Sequence, residues 1–439
     1  MNQLLRTNQI VRTVSSDMPC TVGELLGSGG QGEVYRAMLD HKPAALKWYL
    51  PQLATPEQRR NLETLIKTGS PSEKFLWPLE LTIAEGTPGF GYIMPLRDAR
   101  YRGLDDLMKR RIHPPFRTLA TAGFGLADSF MQLHTKGFCY CDISFGNVFF
   151  DPTIGDVLIC DNDNVIVNGE QPLIDGTIRF MAPEVLRGEA HPSRQTDLFS
   201  LAVLLFYMFM LHHPLEGKQE TTIHCFDLQA MKHLYGTKPV FIFDPHDHSN
   251  EPDPLYHGNA LDFWPIYPQF LRDLFTQAFT TGIDDPQHGR VQEGVWRPTM
   301  VQLHDSIMYC QHCEAENFYD VETLQHSGGK PAPCWSCDHE IRLPARIRLG
   351  RNIVMLNHDT QLFPHHVDDQ KLYDFSQPVA AVTRHPTDPR IWGLKNLSSE
   401  KWLWKTADGQ MRDVEPGRSV TIAVGTTIHF GRMEGEIRL

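Results

Sequence analysis

Apolar positions come in short runs through the first hundred residues, recur at helical spacing in the middle of the chain, and return to short runs after Ile341. Stretches 21–26, 34–38, 44–48 and 89–96 read as strands, and 56–67 between them has helical composition. Helices are expected at 104–111 and 119–136, followed by two short strands, 148–150 and 157–159, joined by a turn. The longest apolar run, 198–211, contains Ser200; it is too short to span a bilayer and reads as a buried core helix. From Ile341 onward, strands and turns alternate, which predicts a β-sandwich. Residues 1–17 are polar without a clear period, and a flexible extension is expected there.

A chain of 439 residues suggests two or three domains, and 41% hydrophobic with 21% charged residues supplies a large soluble core. The net charge of -12 arises before Ile341 and argues against general nucleic-acid binding. The first residues lack an apolar signal core, so a cytoplasmic protein without a membrane segment is expected. Of nine cysteines, five are scattered and four form two C-x-x-C pairs, which is not a disulfide framework.

Candidate chemistry concentrates in 140–163, YCDISFGNVFFDPTIGDVLICDND. The two short strands would return Asn147 and Asp161 to one point, where an amide oxygen and a carboxylate suit Mg²⁺ carrying a polyphosphate. Asp142 lies nearby as acceptor for a hydroxyl proton. Upstream, Gly27, Gly29 and Gly32 sit between strands and allow backbone N–H groups to approach phosphates. Lys47, flanked by apolar residues on a strand, needs an anionic partner, and Glu57 and Glu63 lie on the next helix. Cys310 and Cys313, then Cys334 and Cys337 after 20 intervening residues, offer four thiolates for a structural tetrahedral Zn²⁺, with His312 and His339 as spectators. His246, His248 and His257 lie among turn formers without ligand spacing and read as a solvated loop.

These features resemble, in order, the motifs of a protein kinase: glycine loop, Lys47, Asp142 with Asn147, Asp161, Ala182-Pro183-Glu184, Asp197 and Arg297. The whole resembles bacterial eukaryotic-like Ser/Thr kinases with a C-terminal zinc ribbon. The resemblance implies an α+β, two-lobed kinase-like domain at 18–308, with lobes 18–96 and 97–308. A zinc ribbon follows at 309–340, and a β-sandwich similar to a forkhead-associated (FHA) domain at 341–439. It favours Glu63 as the partner of Lys47 and places Met94 at the gatekeeper, with Val34, Ala45 and Leu96 around adenine. It sets Thr177 beside Asp142, Asp197 against the catalytic-loop backbone, and Glu184 in an ion pair with Arg297. Implied cofactors are ATP, Mg²⁺ and structural Zn²⁺. Implied partners are a protein substrate, a von Willebrand A-domain protein and a PP2C-type phosphatase, as in tellurite-resistance-associated cassettes.

The sequence departs from that pattern. Tyr140 and Cys141 replace His and Arg, Ser144 replaces a lysine, and Asp161-Asn162-Asp163 replaces D-F-G. In the C-terminal part, Gly350-Arg351 and Asn396 match the FHA pattern. Phe363 to His366 replaces its Ser-x-x-His, and its Asn-Gly is missing. The rival reading is a pseudokinase scaffold that binds nucleotide and partners without efficient transfer.

Overall fold

The computed structural model describes residues 3–174, 176–406 and 409–439. The chain divides into two compact units: residues 1–114, 118–264 and 273–298 form one, and 115–117, 265–272 and 299–439 the other.

The first unit begins with a closed barrel of six strands in the order β1-β2-β3-β4-β6-β5. The strands are β1 (Ile10–Thr13), β2 (Pro19–Ser28), β3 (Gly32–Leu39), β4 (Lys42–Tyr49), β5 (Glu80–Ala84) and β6 (Thr87–Met94). β1 closes the barrel by pairing with both β2 and β5. The expected flexible extension at 1–17 is therefore corrected. Leu5 and Val11 are fully buried with Tyr35, Leu46 and Trp48, and the N–H of Leu5 donates to the Tyr35 hydroxyl at 3.0 Å. The in-out alternation of β1 spans four residues, too few to stand out from the polar sequence around it.

Between β4 and β5 runs helix α1 (Pro56–Thr68), capped by the Thr55 side chain and opened by proline at its first position. Gly69, at φ 76°, ends it. Gln58, Leu62 and Leu65 form its buried face.

The rest of this unit is largely helical. Helix α2 (Phe116–Thr135) leads to the strand pair β7 (Val148–Phe150) and β8 (Val157–Ile159). Their antiparallel register sets Val148 against Ile159, and the N–H of Cys160 donates to the Asn147 carbonyl at 2.8 Å. Helix α3 (Arg194–Met210) opens on a capping box between Ser193 and Thr196 and ends at Leu211, φ 51°. Every residue from Thr196 to Met210 is buried, as expected for a core helix. Each large apolar side chain on it contributes roughly 1.5–3 kcal/mol by leaving water. Helix α4 (Glu293–Asp305) carries the chain into the second unit.

In the second unit, strands Ile307–Tyr309 and Glu316–Phe318 pair antiparallel and flank the first cysteine knuckle. Two antiparallel sheets follow, of six and four strands. Ile347, Trp402, Ile428 and Ile437 from the larger sheet and Leu362, Leu394 and Val420 from the smaller share one core.

Candidate active site and cysteine cluster

A cleft of about 720 Å³ opens between the glycine loop and the segments that precede β7 and follow β8. Gly27, Gly29, Gly32, Val34, Ala45, Lys47, Met94, Leu96, Asp142 and Asp161 all line it. The strand register explains this: Val34 pairs with Lys47, and Ala45 with Met94. Gly32 is required by close approach, because a Cβ there would lie 2.1 Å from the Trp48 carbonyl oxygen.

The loop between α2 and β7 is fixed from beneath. The N–H groups of Tyr140 and Cys141 donate to the Asp197 carboxylate at 2.5 and 3.0 Å. His134 touches Asp197 with one ring nitrogen at 3.1 Å and Glu293 with the other. Burial works against a charged imidazole, but the two carboxylates overcome it and raise the His134 pKa. On this platform, Asp142 accepts from the Thr177 hydroxyl at 2.7 Å and from the Asn147 amide at 3.1 Å. Burial raises the Asp142 carboxyl above its ordinary range; those hydrogen bonds pull it down, and Asp161 adds to the rise.

Asn147 also donates to the Asp142 carbonyl, at 2.8 Å, so its amide nitrogen is engaged and its oxygen is the group left for a cation. Asp161, in the left-handed region at φ 51°, lies 3.4 Å from Lys47. Burial pushes its carboxyl up, Lys47 opposes this, and the negative Asp163 adds to it. The partly exposed Asp161 carboxylate and the free Asn147 amide oxygen are hard oxygen donors that fit Mg²⁺.

Lys47 does not meet the glutamate expected for it. Glu63 lies on the outer face of α1, about half exposed, and pairs with Arg59 at 3.0 Å. Glu57 pairs with Arg60 at 2.8 Å. The partner of Lys47 is Asp163, at 2.9 Å and fully buried. Burial disfavours the ammonium, but Asp163 and Asp161 together hold its pKa above the ordinary value. The helix period carried the signal: Leu62 and Leu65 mark the buried face, and Glu63 falls about 100° away from Leu62.

The ion pair expected between Glu184 and Arg297 is also corrected. Glu184 receives two bonds of 2.8 Å from Arg290. Arg297 pairs with Asp128 at 2.9 Å. His257, expected in a solvated loop, is buried, and its Nδ1 accepts from the Asp253 N–H at 2.7 Å.

The four knuckle cysteines, Cys310, Cys313, Cys334 and Cys337, place their sulfurs within 4.8 Å of one another. Each knuckle is followed by a left-handed residue, Glu314 at φ 60° and Asp338 at φ 57°. The His312 N–H and the Asn317 amide point at the sulfurs of Cys310 and Cys334, at 3.4 and 3.6 Å. Four converging sulfurs with N–H donors behind them fit a closed tetrahedral metal site. His312 and His339 stack on each other at 3.7 Å.

In the two-sheet part, Gly350 turns at φ 59° and Arg351 is exposed. The Asn396 amide donates to the carbonyls of Glu400 and Val414 at 2.8 and 3.0 Å. His366 is buried, accepts from the Phe363 N–H at 2.8 Å, and meets Asp305 at 3.2 Å. Asn396 and His366 thus brace loops internally.

The protein kinase domain family matches residues 20–263. Over 239 residues the chain is 28% identical to the DNA damage-responsive serine/threonine-protein kinase RqkA of Deinococcus radiodurans, covering 51% of this chain and 33% of that protein. Over 275 residues it is 27% identical to mitogen-activated protein kinase kinase 5 of Leishmania mexicana, covering 60% and 50%. A stretch of 92 residues is 34% identical to mouse protein kinase C delta type, covering 20% and 13%. The chain thus spans between an eighth and a half of the length of these relatives.

Proposed function

This chain belongs to the protein kinase domain family, and from that premise we propose that it transfers the γ-phosphate of ATP to Ser/Thr hydroxyls of a protein substrate. The observation that carries this reading is the convergence of Asp142, Lys47 and Asp161 on one cleft beneath the glycine loop. Asp142 accepts the hydroxyl proton and orients the attacking oxygen, with Asn147 and Thr177 fixing its carboxylate. Lys47 holds the α- and β-phosphates, and the backbone from Gly27 to Gly32 covers them. Val34, Ala45 and Met94 pack the adenine, and the hinge N–H comes from Leu96 or its neighbour because Pro95 has none. Asn147 and Asp161 hold Mg²⁺, which when bound neutralises phosphate charge. Catalysis is then positioning and charge stabilisation, with no covalent step on the protein.

In the same reading, Cys310, Cys313, Cys334 and Cys337 hold a structural Zn²⁺ in a ribbon. The following FHA-like sandwich serves docking rather than phosphothreonine capture. This is supported by the internal bonds of Asn396 and His366 and by Phe363 at the serine position. By the family resemblance, the partners are a von Willebrand A-domain protein and a PP2C-type phosphatase in a bacterial stress response, and the location is the cytoplasm. Among the described residues, no helix is long and apolar enough to cross a membrane.

Ser144, buried where a lysine would reach the γ-phosphate, favours the second reading, a nucleotide-binding scaffold. Incubation with radiolabelled ATP separates the two. Incorporation by the wild type that disappears in Asp142→Ala supports the enzyme; nucleotide binding without incorporation into any protein acceptor supports the scaffold.

A further inference from the structure

Lys47 is 4% exposed, so its ammonium must be held by charge and hydrogen bonds rather than by water. Both oxygens of Asp163 supply this, at 2.9 and 3.0 Å, while Asp161 stands farther off at 3.4 Å. Asp163 is itself fixed on three sides. The Tyr49 hydroxyl, two residues along β4 from Lys47, donates to its carboxylate. Gln58 of α1 donates to the Tyr49 oxygen at 2.9 Å and to the Asp163 carbonyl at 3.1 Å. Asn61, one turn further along α1, donates to the carbonyls of Asp163 and Val165, both at 3.0 Å.

We propose that Asp163 is the positioning residue that aligns Lys47 for phosphoryl transfer, with α1 acting as a fixed brace through Gln58 and Asn61. This rests on the phosphoryl-transfer reading above and adds a residue and a mode of control to it. The acid that aligns the lysine sits two residues after the metal-binding acid, on the same backbone. Lys47 and Asp161 are thereby set by one element. A helix that carried the acid could swing it away and switch the enzyme off. Here rotation of α1 cannot deliver or withdraw the partner. Glu63 lies about 140° around the helix from Gln58. Turning it inward would break the Gln58 and Asn61 bonds and pull Leu62 and Leu65, both fully buried, out of the core.

Two measurements on the full chain test this. The first is turnover of radiolabelled ATP at varied ATP and Mg²⁺. Asp163→Asn is expected to lower kcat about a hundredfold, the scale of losing one preorganised charge contact. KM for ATP should stay within about threefold, because the loss falls on the transition state. The half-saturating Mg²⁺ concentration should not move. Tyr49→Phe, which keeps the Asp163 charge but removes one of its bonds, should give an intermediate loss. A kcat restored by excess Mg²⁺ would identify Asp163 as a metal ligand and overturn the proposal, as would a wild-type rate in folded Asp163→Asn. The second measurement is a crystal structure of the wild type with a non-hydrolysable ATP analogue and Mg²⁺. Lys47 is expected to keep Asp163 within hydrogen-bond distance, with Glu63 outside. An α1 rotated to bring Glu63 onto Lys47 refutes the proposal. This second readout decides even where the wild type transfers no phosphate, a result that would refute the activity and not the anchor. It also decides where Asp163→Asn does not fold.

Discussion

Replacing Arg290 with alanine is the sharpest test of how the helical part of the first unit is held together. Its guanidinium gives two bonds of 2.8 Å to Glu184, one of 3.1 Å to the Gly282 carbonyl and one of 2.8 Å to the Gln195 carbonyl. The two side chains are 2% and 11% exposed. Arg290→Ala would leave the Glu184 carboxylate buried and unpaired, which costs about 3–5 kcal/mol. Arg297→Ala breaks a 2.9 Å pair with Asp128, whose side chains are 17% and 25% exposed, and a 3.2 Å contact to the Met131 sulfur. Water can replace much of that interaction, so its loss should cost about 1 kcal/mol. For a unit of this size, 1 kcal/mol moves Tm by roughly 2–4 °C. The expected shifts are therefore about 10 °C for Arg290→Ala and about 3 °C for Arg297→Ala. Circular dichroism at a helix-sensitive wavelength reads both. Adding Glu184→Gln to Arg290→Ala should recover part of the loss, because the stranded charge is gone. An Arg297→Ala shift equal to or larger than that of Arg290→Ala would refute the reasoning.

Freshly purified, reduced protein should contain one Zn²⁺ per chain by atomic emission. Cys334→Ser should lose the metal and loosen residues 309–344, while the first unit keeps its helical signal. Asp142 must be ionised to accept a proton, so the rate falls as pH drops through its folded pKa, which burial raises. The acid limb of kcat/KM should lie above the ordinary aspartate range near about 4. Thr177→Val removes a bond that favours the carboxylate, so that limb should move to still higher pH. Fully dephosphorylated enzyme should begin turnover without a lag and with Thr177 unmodified by mass spectrometry, because a phosphate on Thr177 would meet the Asp142 charge.

Periodicity and spacing made most of the first unit legible. The glycine loop, the Lys47 strand, the β7–β8 turn and the α3 core helix each carry a pattern of their own, and each lies where the pattern puts it. What escaped was pairing between distant segments. Asp163 and Lys47 are 116 residues apart, and Arg290 and Glu184 are 106 apart. Nothing local marks either bond. In each case a second charged residue lay at the position favoured by resemblance: Glu63 for Lys47, and Arg297 for Glu184. Burial separates the candidates. Asp163 and Arg290 lie in the core, while Glu63 is about half exposed and Arg297 is partly exposed. β1 was missed for a different reason, since a four-residue alternation gains its meaning only when the barrel closes around it.

The motif changes around the catalytic loop share a physical direction. Where an arginine would stand before Asp142, awaiting a phosphate on the activation segment, Cys141 turns in the left-handed region at φ 71° and is buried. Its sulfur lies 3.5 Å from that of Cys139, and both pack on Ile166. Cys139 and burial push the Cys141 thiol far up, so it stays neutral and acts as an apolar plug. Ile166 and Val167 pair with Cys139 and Phe138 as a two-stranded ladder, which fixes the chain just beyond Asp163. Where a charged socket would need a phosphate to order its neighbour, packed neutral surface stands instead. The same holds at Lys47, whose partner Asp163 lies next to the segment this ladder fixes and not on α1. The segment from Asp161 to Val167 is therefore held by backbone pairing below and by Gln58 and Asn61 above, and neither constraint waits on a modification.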